Sequence, residues 1–372
     1  MHIIYFLTFD YSLATWKNSG HLERELKYFD ELINKYNCKI TIVSYGTKKF
    51  RSELKLNKNI NVIEVYDHIK FHEKRVVRYA NSIKIPLLIK RLIGSSFDLI
   101  KQNQLQGSLV TIIFKIITKK PLFIRTGYDV FEFAKKNNKK KSRLLLIFLY
   151  QQISLLLADI YTVSSFSDLN NLKKFFKTKK NLHYLPNWVL VPEFVPYQER
   201  SKNDIFSVGR LENQKNLRLL IDKLKNTQLN SIHIGDGSLK KSLLEHAKKI
   251  GVEFKLKEPV NNSYLINEYS KYIFYASPSY FEGNSKTILE AMAAGCIVLA
   301  SDIENNRELI RDNENGFLIP LKNFEISKII ENLSKDLDHA AEIGASARNT
   351  ILENFSLDKL LNQEYELLKK IV

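Results

Sequence analysis

SYFEGNSKTILEAMAAGCIVLASDIENNRELI, residues 279–310, carries the strongest structural signal in this chain. A β-branched and aromatic run at residues 272–276 precedes it and predicts a strand. Gly283 and Asn284 permit a tight turn, and the apolar spacing of residues 285–294 predicts a helix that starts at Ser285. A second strand is predicted at residues 297–300. This order of strand, turn, helix and strand is typical of a parallel sheet covered by helices.

The same alternation extends in both directions along the chain. It predicts an α/β protein with two doubly wound parallel sheets, one in each half. In the first half the predicted strands are residues 2–9, 39–45, 60–65, 99–101, 122–125 and 160–164. In the second half the other predicted strands are residues 205–208, 231–234 and 253–256.

Proline separates the two halves. Three prolines stand within residues 186–196, where they restrict the backbone and disfavour both helix and central strand. We therefore predict a first domain at residues 1–186, a linker at residues 187–204 and a second domain at residues 205–356. Apolar spacing predicts one more helix at residues 357–372.

Charge is distributed unevenly along the 372 residues, whose net charge is +17. Residues 1–186 contain 33 Lys and Arg against 14 Asp and Glu, whereas residues 187–372 contain 24 against 26. The basic half indicates an anionic partner, such as acidic lipid headgroups or a phosphorylated substrate. A merely solvated basic surface is the alternative. The charge is not accompanied by a nucleic-acid-binding motif, so we expect no nucleic acid partner.

Cysteine use and the first residues indicate a cytoplasmic protein. Cys38 and Cys296 lie far apart and lack the spacing of a disulfide or metal site, and residues 1–6 do not resemble a signal peptide.

The apolar run at residues 144–158 is interrupted by Gln151 and Gln152 and is too short to span a bilayer. A basic segment precedes this run, and together they predict peripheral contact with the anionic inner face of the plasma membrane. A core helix with a solvated start fits the same pattern. The basic residues are Lys135, Lys136, Lys139, Lys140, Lys141 and Arg143.

Residues next to the predicted strand ends of the second half suit an anionic ligand. The helix start near Ser285 offers backbone N–H groups and positive potential to a diphosphate, and Glu290, about two turns further on, can reach a ribose diol. Gly209, Arg210 and Lys215 follow the strand at residues 205–208, at the edge where open α/β sheets bind ligands. Fixed cations there stabilise the charge that develops on a departing nucleoside diphosphate. Arg210 and Lys215 are therefore candidate catalytic residues.

Taken together, these motifs resemble glycosyltransferase family 4, a group with the GT-B fold. The resemblance rests on Glu282 and Glu290, which flank seven residues, and on the Gly-Arg-Leu that starts at Gly209. It implies two Rossmann-like domains facing a central cleft, with the terminal helix packed back on the first domain. It also implies that Glu290 holds the ribose of a nucleotide-diphosphate-sugar donor and that Glu282 is catalytic beside the transferred sugar. Asn216 departs from the family pattern, in which glycine is common after the lysine.

The resemblance assigns further residues to donor binding through turns and backbone contacts. The segment that meets the base in the family lacks its usual glycine here, so UDP- and GDP-linked sugars are both open. The assigned donor-binding residues are Gly20, Gly209, Gly235, Gly237, Val260, Gly283, Asn284, Ser285, Lys286 and Glu290.

On the acceptor side, Arg125, Tyr128 and Asp129 follow the strand at residues 122–125. Many family members carry a histidine in this segment, and its absence here leaves the acid–base role unassigned. Asp336 and Asp338 lie in a helical pattern, and the sequence contains no cluster with metal-ligand spacing. We therefore expect neither a metal nor a cofactor.

The predicted function is that of a retaining, metal-independent glycosyltransferase. The basic first domain suits a saccharide acceptor carried on a polyprenyl diphosphate, as in the assembly of bacterial O-antigen, capsule or other surface polysaccharide. Two alternatives stay open. One is a nucleotide-sugar epimerase of the same fold, and the other is a non-enzymatic basic protein that binds membranes or nucleic acid.

Overall fold

A computed structural model describes residues 1–48 and 54–372, which form two compact units. Unit 1 comprises Met1–Pro186 and Leu361–Val372, and unit 2 comprises Asn187–Leu360. Each unit is a Rossmann-like parallel sheet with helices. The α/β class predicted from the sequence is confirmed for both units.

The described part of unit 1 contains a sheet with the strand order β3-β2-β1-β4-β5-β6-β7, in which every pairing is parallel. The order reverses between β1 and β4, as in a doubly wound fold. The strands are β1 (His2–Phe6), β2 (Lys39–Ser44), β3 (Ile60–Glu64), β4 (Leu99–Asn103), β5 (Leu122–Arg125), β6 (Ile160–Val163) and β7 (Leu182–Tyr184).

The helices of unit 1 connect these strands. Most follow the apolar spacing of the sequence, but the first is too short for a periodic signal and forms around a capping box of Ser12 and Thr15. The helices are α1 (Leu13–Asn18), α2 (Leu22–Tyr36), α3 (Arg75–Ser82), α4 (Ile85–Ile93), α5 (Ser108–Thr118), α6 (Val130–Lys136), α7 (Lys141–Leu157) and α8 (Phe166–Phe175).

Unit 2 has the strand order β10-β9-β8-β11-β12-β13, again with parallel pairings. The strands are β8 (Ser201–Val208), β9 (Asn230–Ile234), β10 (Phe254–Lys257), β11 (Tyr272–Ser277), β12 (Ile297–Ser301) and β13 (Phe317–Ile319). The helices are α9 (Leu217–Lys223), α10 (Lys240–Ile250), α11 (Asn262–Tyr269), α12 (Lys286–Ala293), α13 (Glu304–Arg307), α14 (Ser327–Lys335) and α15 (Leu337–Asn354). A last helix, α16 (Leu357–Lys369), begins in unit 2, and its residues from Leu361 onward belong to unit 1.

The sheet of unit 2 buries both of its faces. Side chains alternate across a strand, and those of β12 alternate between two apolar clusters: Ile297 and Leu299 lie in one, Val298 and Ala300 in the other. This explains why β12 reads as a continuous apolar run in the sequence.

Several element bounds differ from those the sequence predicts. β8 begins at Ser201, inside the predicted linker, and β1 ends at Phe6, earlier than the strand predicted at residues 2–9. β13 is three residues long and has no counterpart among the predicted strands. In the described residues, every helix is too short or too polar to cross a bilayer.

Candidate functional site

Three loops meet at the carboxyl edge of the sheet in unit 2. They follow β8, β9 and β11, and β8 lies between the other two strands. The strand order reverses between β8 and β11, which is the position where doubly wound sheets bind their ligands. The residues from Gly209 to Glu290 that the sequence predicts to be functional follow these strands, except Val260, which follows β10.

Lys215 and Glu282 form an ion pair at this edge. The Lys215 Nζ lies 2.6 Å from Glu282 Oε1, and the Ser279 hydroxyl donates to the same oxygen at 2.6 Å. The side chains are 17% and 8% exposed, so the pair lies just below the surface. The structure thus brings together two residues that stand 67 positions apart and that the sequence assigns to catalysis.

The loop that carries Lys215 is tied to the loop of Glu282 by further bonds. Gln214 Nε2 donates to the Phe281 carbonyl at 2.8 Å, and Asn216 Nδ2 donates to the Pro278 carbonyl at 3.2 Å. Asn216 adopts a left-handed backbone with a φ of +50°. Asparagine is the residue that best replaces glycine in that conformation. The left-handed backbone therefore forms here although Asn216 stands where glycine is common in the family.

Glycines allow the loops after β8 and β9 to touch. Gly209 has a φ of +149°, and a Cβ there would come within 3.2 Å of the Lys215 side chain. Gly235, with a φ of +158°, would clash with the Gly209 carbonyl, and a Cβ on Gly237 would come within 2.6 Å of the Leu211 carbonyl oxygen. Only a glycine backbone fits this approach. The three glycines predicted to bind the donor therefore build one turn-on-turn contact.

His233 lies beneath this contact, and the sequence reasoning missed it. Its Nε2 donates to the Gly209 carbonyl at 2.9 Å, and its Nδ1 accepts from the Ser207 hydroxyl at 2.8 Å. The ring is 1% exposed. Burial lowers the pKa of His233 to about 4, so the ring is neutral at pH 7. In the sequence it looks like an ordinary member of a strand, so no local signal marks it.

The start of α12 is fixed from a distant part of the chain. Asn284 is buried, and its side-chain oxygen and its carbonyl accept hydrogen bonds from the Asn187 N–H and side chain at 2.9 and 2.8 Å. Ser285 occupies the N-cap position without a side-chain capping bond. Asn187, the first residue of the predicted linker, thus holds the turn at Gly283 and Asn284.

Glu290 lies on α12 with its carboxylate directed into the unit. It is 6% exposed, and it accepts hydrogen bonds from Asn262 Nδ2 and the Tyr269 hydroxyl, both at 3.1 Å. Burial and the nearby Glu290 carboxylate raise the pKa of Tyr269 well above its ordinary value. Glu290 is therefore a buried, oriented acid rather than an exposed helix residue.

The remaining predicted residues of unit 2 surround these groups. Arg210 is exposed on the same loop as Lys215 and forms no ion pair within the described residues. Lys286 is partly exposed at the first position of α12. Val260 follows β10 and packs against the cluster that contains Ile288.

The predicted residues of unit 1 lie at a turn and on one loop. Gly20, with a φ of +71°, forms the turn between α1 and α2. Arg125 ends β5 and donates to the Pro186 carbonyl at 3.0 Å. Tyr128 packs on the ring of Phe133.

Asp129 stabilises that loop through hydrogen bonds. Its Oδ1 accepts from the N–H groups of Phe131 and Glu132 at 3.0 and 3.2 Å, which caps α6, and from Gln151 Nε2 at 2.8 Å. The side chain is 2% exposed, and burial raises its pKa. The carboxylate thus shapes the loop that carries Tyr128.

Unit 1 also contains a buried ion network that the sequence did not suggest. Lys101 on β4 and Glu364 on α16 form an ion pair, both 1% exposed, and Tyr28 and Arg125 also hydrogen-bond to Glu364. Burial lowers the pKa of Lys101. Although burial alone would raise it, Lys101 and Arg125 hold the pKa of Glu364 below its ordinary value. The feature of the sequence that hints at this network is Lys101, a lysine within a buried strand.

Residues 194–350 match the sequence model of the family described as "Glycosyl transferases group 1". The chain is similar to N-acetylgalactosamine-N,N'-diacetylbacillosaminyl-diphospho-undecaprenol 4-alpha-N-acetylgalactosaminyltransferase of Campylobacter jejuni, with 39% identity over 32% of this chain and 33% of that protein. It is similar to poly(ribitol-phosphate) alpha-N-acetylglucosaminyltransferase of Staphylococcus aureus, with 27% identity over 55% of this chain and 38% of that protein. These matches thus span well under half of either relative. A longer match, 23% identical over 83% of this chain and 84% of the relative, is to the amylovoran biosynthesis glycosyltransferase AmsD of Erwinia amylovora.

Solved structures share the fold. Sucrose-phosphate synthase from Thermosynechococcus elongatus superimposes with a TM-score of 0.82 at 15% identity, covering 100% of this chain and 99% of that chain. HepE from Anabaena, solved in complex with UDP-glucose, superimposes with a TM-score of 0.75 at 18% identity over 99% of both chains.

Proposed function

We propose, from the match of residues 194–350 to the glycosyl transferases group 1 family model, that this protein transfers a sugar from a nucleotide-diphosphate-sugar to an acceptor hydroxyl with retention of configuration. The observation that carries the proposal is the Lys215–Glu282 pair at the point where the strand order of unit 2 reverses. It puts a cation and a carboxylate where a bound diphosphate and its sugar need them.

The cations of this edge would serve the departing diphosphate. Lys215 lies just below the surface and Arg210 is exposed on the same loop. A diphosphate competes with Glu282 for the Lys215 ammonium because it carries more negative charge. The charge on the diphosphate grows as the bond to the sugar breaks, so both cations stabilise the transition state more than the ground state.

Glu282 and Glu290 would bind different parts of the donor. Glu282 is released from Lys215 as the diphosphate binds, and its oxygens then accept hydrogen bonds from hydroxyls of the transferred sugar. Glu290 is held in place by Asn262 and Tyr269, and a ribose diol can donate to its carboxylate. Gly283, Asn284, Ser285 and Lys286 would bring backbone N–H groups at the start of α12 to the phosphates. This catalysis uses neither a metal nor a cofactor.

Below these groups, His233 would act as a positioning residue. It fixes the carbonyl of Gly209, whose backbone supports the Lys215 side chain. The ring does this as a neutral donor and acceptor, so it adds no charge beneath the phosphates.

The acceptor is proposed to be a saccharide on a polyprenyl diphosphate, in bacterial surface polysaccharide assembly. The name of one relative refers to a diphospho-undecaprenol, which supports the lipid carrier, while two others refer to poly(ribitol-phosphate) and to amylovoran biosynthesis, which support a polymer assembly role. Arg125 and Tyr128 are the proposed acceptor-side groups of unit 1, on a loop that Asp129 shapes. The protein would work in the cytoplasm, at the anionic inner face of the plasma membrane.

A test of the reaction class uses purified protein with UDP- and GDP-linked sugars, with and without a polyprenyl-diphosphate saccharide. We expect transfer to the acceptor, with the anomeric configuration of the product, read by NMR, equal to that of the donor. UDP-glucose is the first donor to try, since HepE was solved with it. Interconversion of two free nucleotide sugars without acceptor would instead identify an epimerase. If every donor is left unchanged and unbound, the proposal fails.

A further inference from the structure

Helix α7 buries two polar side chains together with Leu155, and it leaves a row of apolar side chains on its outward side. Gln151 and Ser154 are completely buried, whereas Leu145 and Leu146 are 59% and 67% exposed. Leu149 and Ile153, on the same side of the helix, are about half exposed. A helix that packs on a core and faces water has the opposite arrangement. The sequence alone could not show this, because it does not tell which side of the helix packs inward.

The rotation of α7 is fixed by the hydrogen bonds of its buried polar groups. Gln151 Nε2 donates to Asp129 Oδ1 at 2.8 Å, and the hydroxyls of Ser154 and Ser108 lie 2.8 Å apart between α7 and α5. Turning the leucines inward would break these bonds and leave buried polar groups unsatisfied, which is costly. The hydrogen bonds of Gln151 and Ser154 therefore keep the leucines of α7 on its outward side.

The neighbouring helices extend the same surface. In α5, Ser108 and Thr111 are fully buried while Ile116 is exposed, and in α4 Leu87 is exposed. Lys90 Nζ of α4 donates to the carbonyl of Ile117 in α5 at 3.1 Å, so α4, α5 and α7 lie side by side. We call the outward side chains of these helices the apolar face: Leu87, Ile116, Leu145, Leu146, Leu149 and Ile153.

The charged residues on the three helices of the apolar face are all basic, although Asp159, just after α7, forms an ion pair with Lys115 of α5. The sequences of α4, α5 and α7 contain Lys and Arg but neither Asp nor Glu. Arg91, Lys140, Lys141 and Arg143 are exposed at the ends of α4 and α7. Two copies meeting through this face would bring like charges together, whereas a surface of anionic lipid matches the cations and accepts the leucines.

We propose that the apolar face inserts into the headgroup and acyl boundary of a bilayer that contains anionic lipid. This rests on the proposed function and deepens its membrane contact, because it extends that contact from α7 and the basic segment before it to the outward side chains of α4 and α5. The face belongs to unit 1 alone, so the binding it confers needs neither donor nor acceptor.

The test is co-sedimentation of the full chain with vesicles in the absence of substrates. Vesicles of phosphatidylcholine are compared with vesicles of phosphatidylcholine mixed with phosphatidylglycerol. We expect binding to the mixed vesicles and little binding to phosphatidylcholine alone. The double variant Leu145→Gln/Leu149→Gln should weaken partitioning on the order of ten-fold or more, and Lys140→Gln/Lys141→Gln by roughly 30-fold at most. Both variants change exposed side chains, so circular dichroism and the thermal midpoint should match wild type.

Matched controls come from unit 2. Leu352 is exposed on α15 and Lys248 and Lys249 are exposed on α10, so Leu352→Gln and Lys248→Gln/Lys249→Gln should bind vesicles as wild type does. Failure of the wild-type protein to bind the mixed vesicles overturns the proposal, as does unchanged binding by Leu145→Gln/Leu149→Gln. Light scattering that shows a dimer, lost only in that variant, would assign the face to a second copy and would also overturn it. None of these outcomes depends on glycosyl transfer, which is assayed separately.

Discussion

Each unit holds a lysine–glutamate pair, and the two pairs are built in opposite ways. In unit 1 the Lys101 and Glu364 side chains are each 1% exposed, and Tyr28 and Arg125 also bond to Glu364. In unit 2 the Lys215–Glu282 pair lies at the open edge of the sheet, with 17% and 8% of its side chains exposed. A buried pair with further hydrogen bonds stabilises the fold, whereas a pair near solvent can exchange partners with a ligand. We call Lys101–Glu364 the closed pair and Lys215–Glu282, which an anion can reach, the open pair.

Removing the acid of the closed pair should have the largest effect. Glu364→Gln leaves the Lys101 ammonium buried without its counter-charge, and losing one partner of a buried pair costs about 3–5 kcal/mol. We expect the free energy of unfolding, from urea denaturation, to fall by that amount. Donor binding by the folded fraction should persist. A loss below about 1 kcal/mol would show that the closed pair is not a stabilising one.

Removing the cation of the open pair should affect turnover instead. Lys215→Ala should lower kcat about 10²–10³-fold, since it removes a charge that stabilises the departing diphosphate. Its cost in stability should be about 1 kcal/mol, because the pair lies near solvent and Ser279 still donates to Glu282. Lys223→Ala, which breaks the more exposed pair with Glu325, is the control and should turn over normally. Equal rates for both variants would contradict the account.

The buried histidine below the open pair should give a pH signature. The pKa of His233 is about 4 in the folded protein against 6.5 for the free side chain, so the unfolded state takes up the proton first as the pH falls. The stabilisation is fully present above pH 6.5 and is lost between pH 6.5 and 4, amounting to about 3 kcal/mol. Denaturation of wild type and His233→Gln at several pH values isolates this contribution. Parallel curves for the two proteins over that range would show that the ring does not titrate as described.

The glycine contact beside the open pair offers a smaller test. Gly235→Ala forces a methyl group against the Gly209 carbonyl and should cost about 1–3 kcal/mol while also weakening donor binding. Gly251→Ala is matched because Gly251 also has a positive φ but has open space around it. That control should lose stability alone, with its affinity for the donor unchanged. If both variants bind the donor equally, the contact does not shape the site.

Local sequence patterns predicted the parallel sheets. Strand ends lie at one edge of a doubly wound fold, so Gly209 and Lys215 could be placed there from the sequence, whereas Glu282 was singled out by the family resemblance. The left-handed backbone at Asn216 also explains its departure from glycine. These features depend on neighbours in the chain or on the general geometry of parallel sheets.

The closed pair and the apolar face could not be predicted in the same way. Lys101 and Glu364 are 263 positions apart, and neither residue carries a local mark of its partner. His233 reads as one more residue of a strand, and Asp129 reads as a free acid although it caps α6. The leucines of α7 fit a core helix equally well until the buried Gln151 and Ser154 show which side faces inward.

If the open pair is the donor site, Lys215 binds the diphosphate of a nucleotide sugar once Glu282 has released it. Calorimetric titration of the wild type and of Lys215→Ala with UDP-, GDP- and dTDP-linked sugars measures this contact. We expect one nucleotide class to bind the wild type and the variant to bind it about 10–100-fold more weakly, as for a lost charge-assisted contact of about 1.5–3 kcal/mol. Equal affinity in both proteins, or no binding of any of these sugars to the wild type, would contradict it.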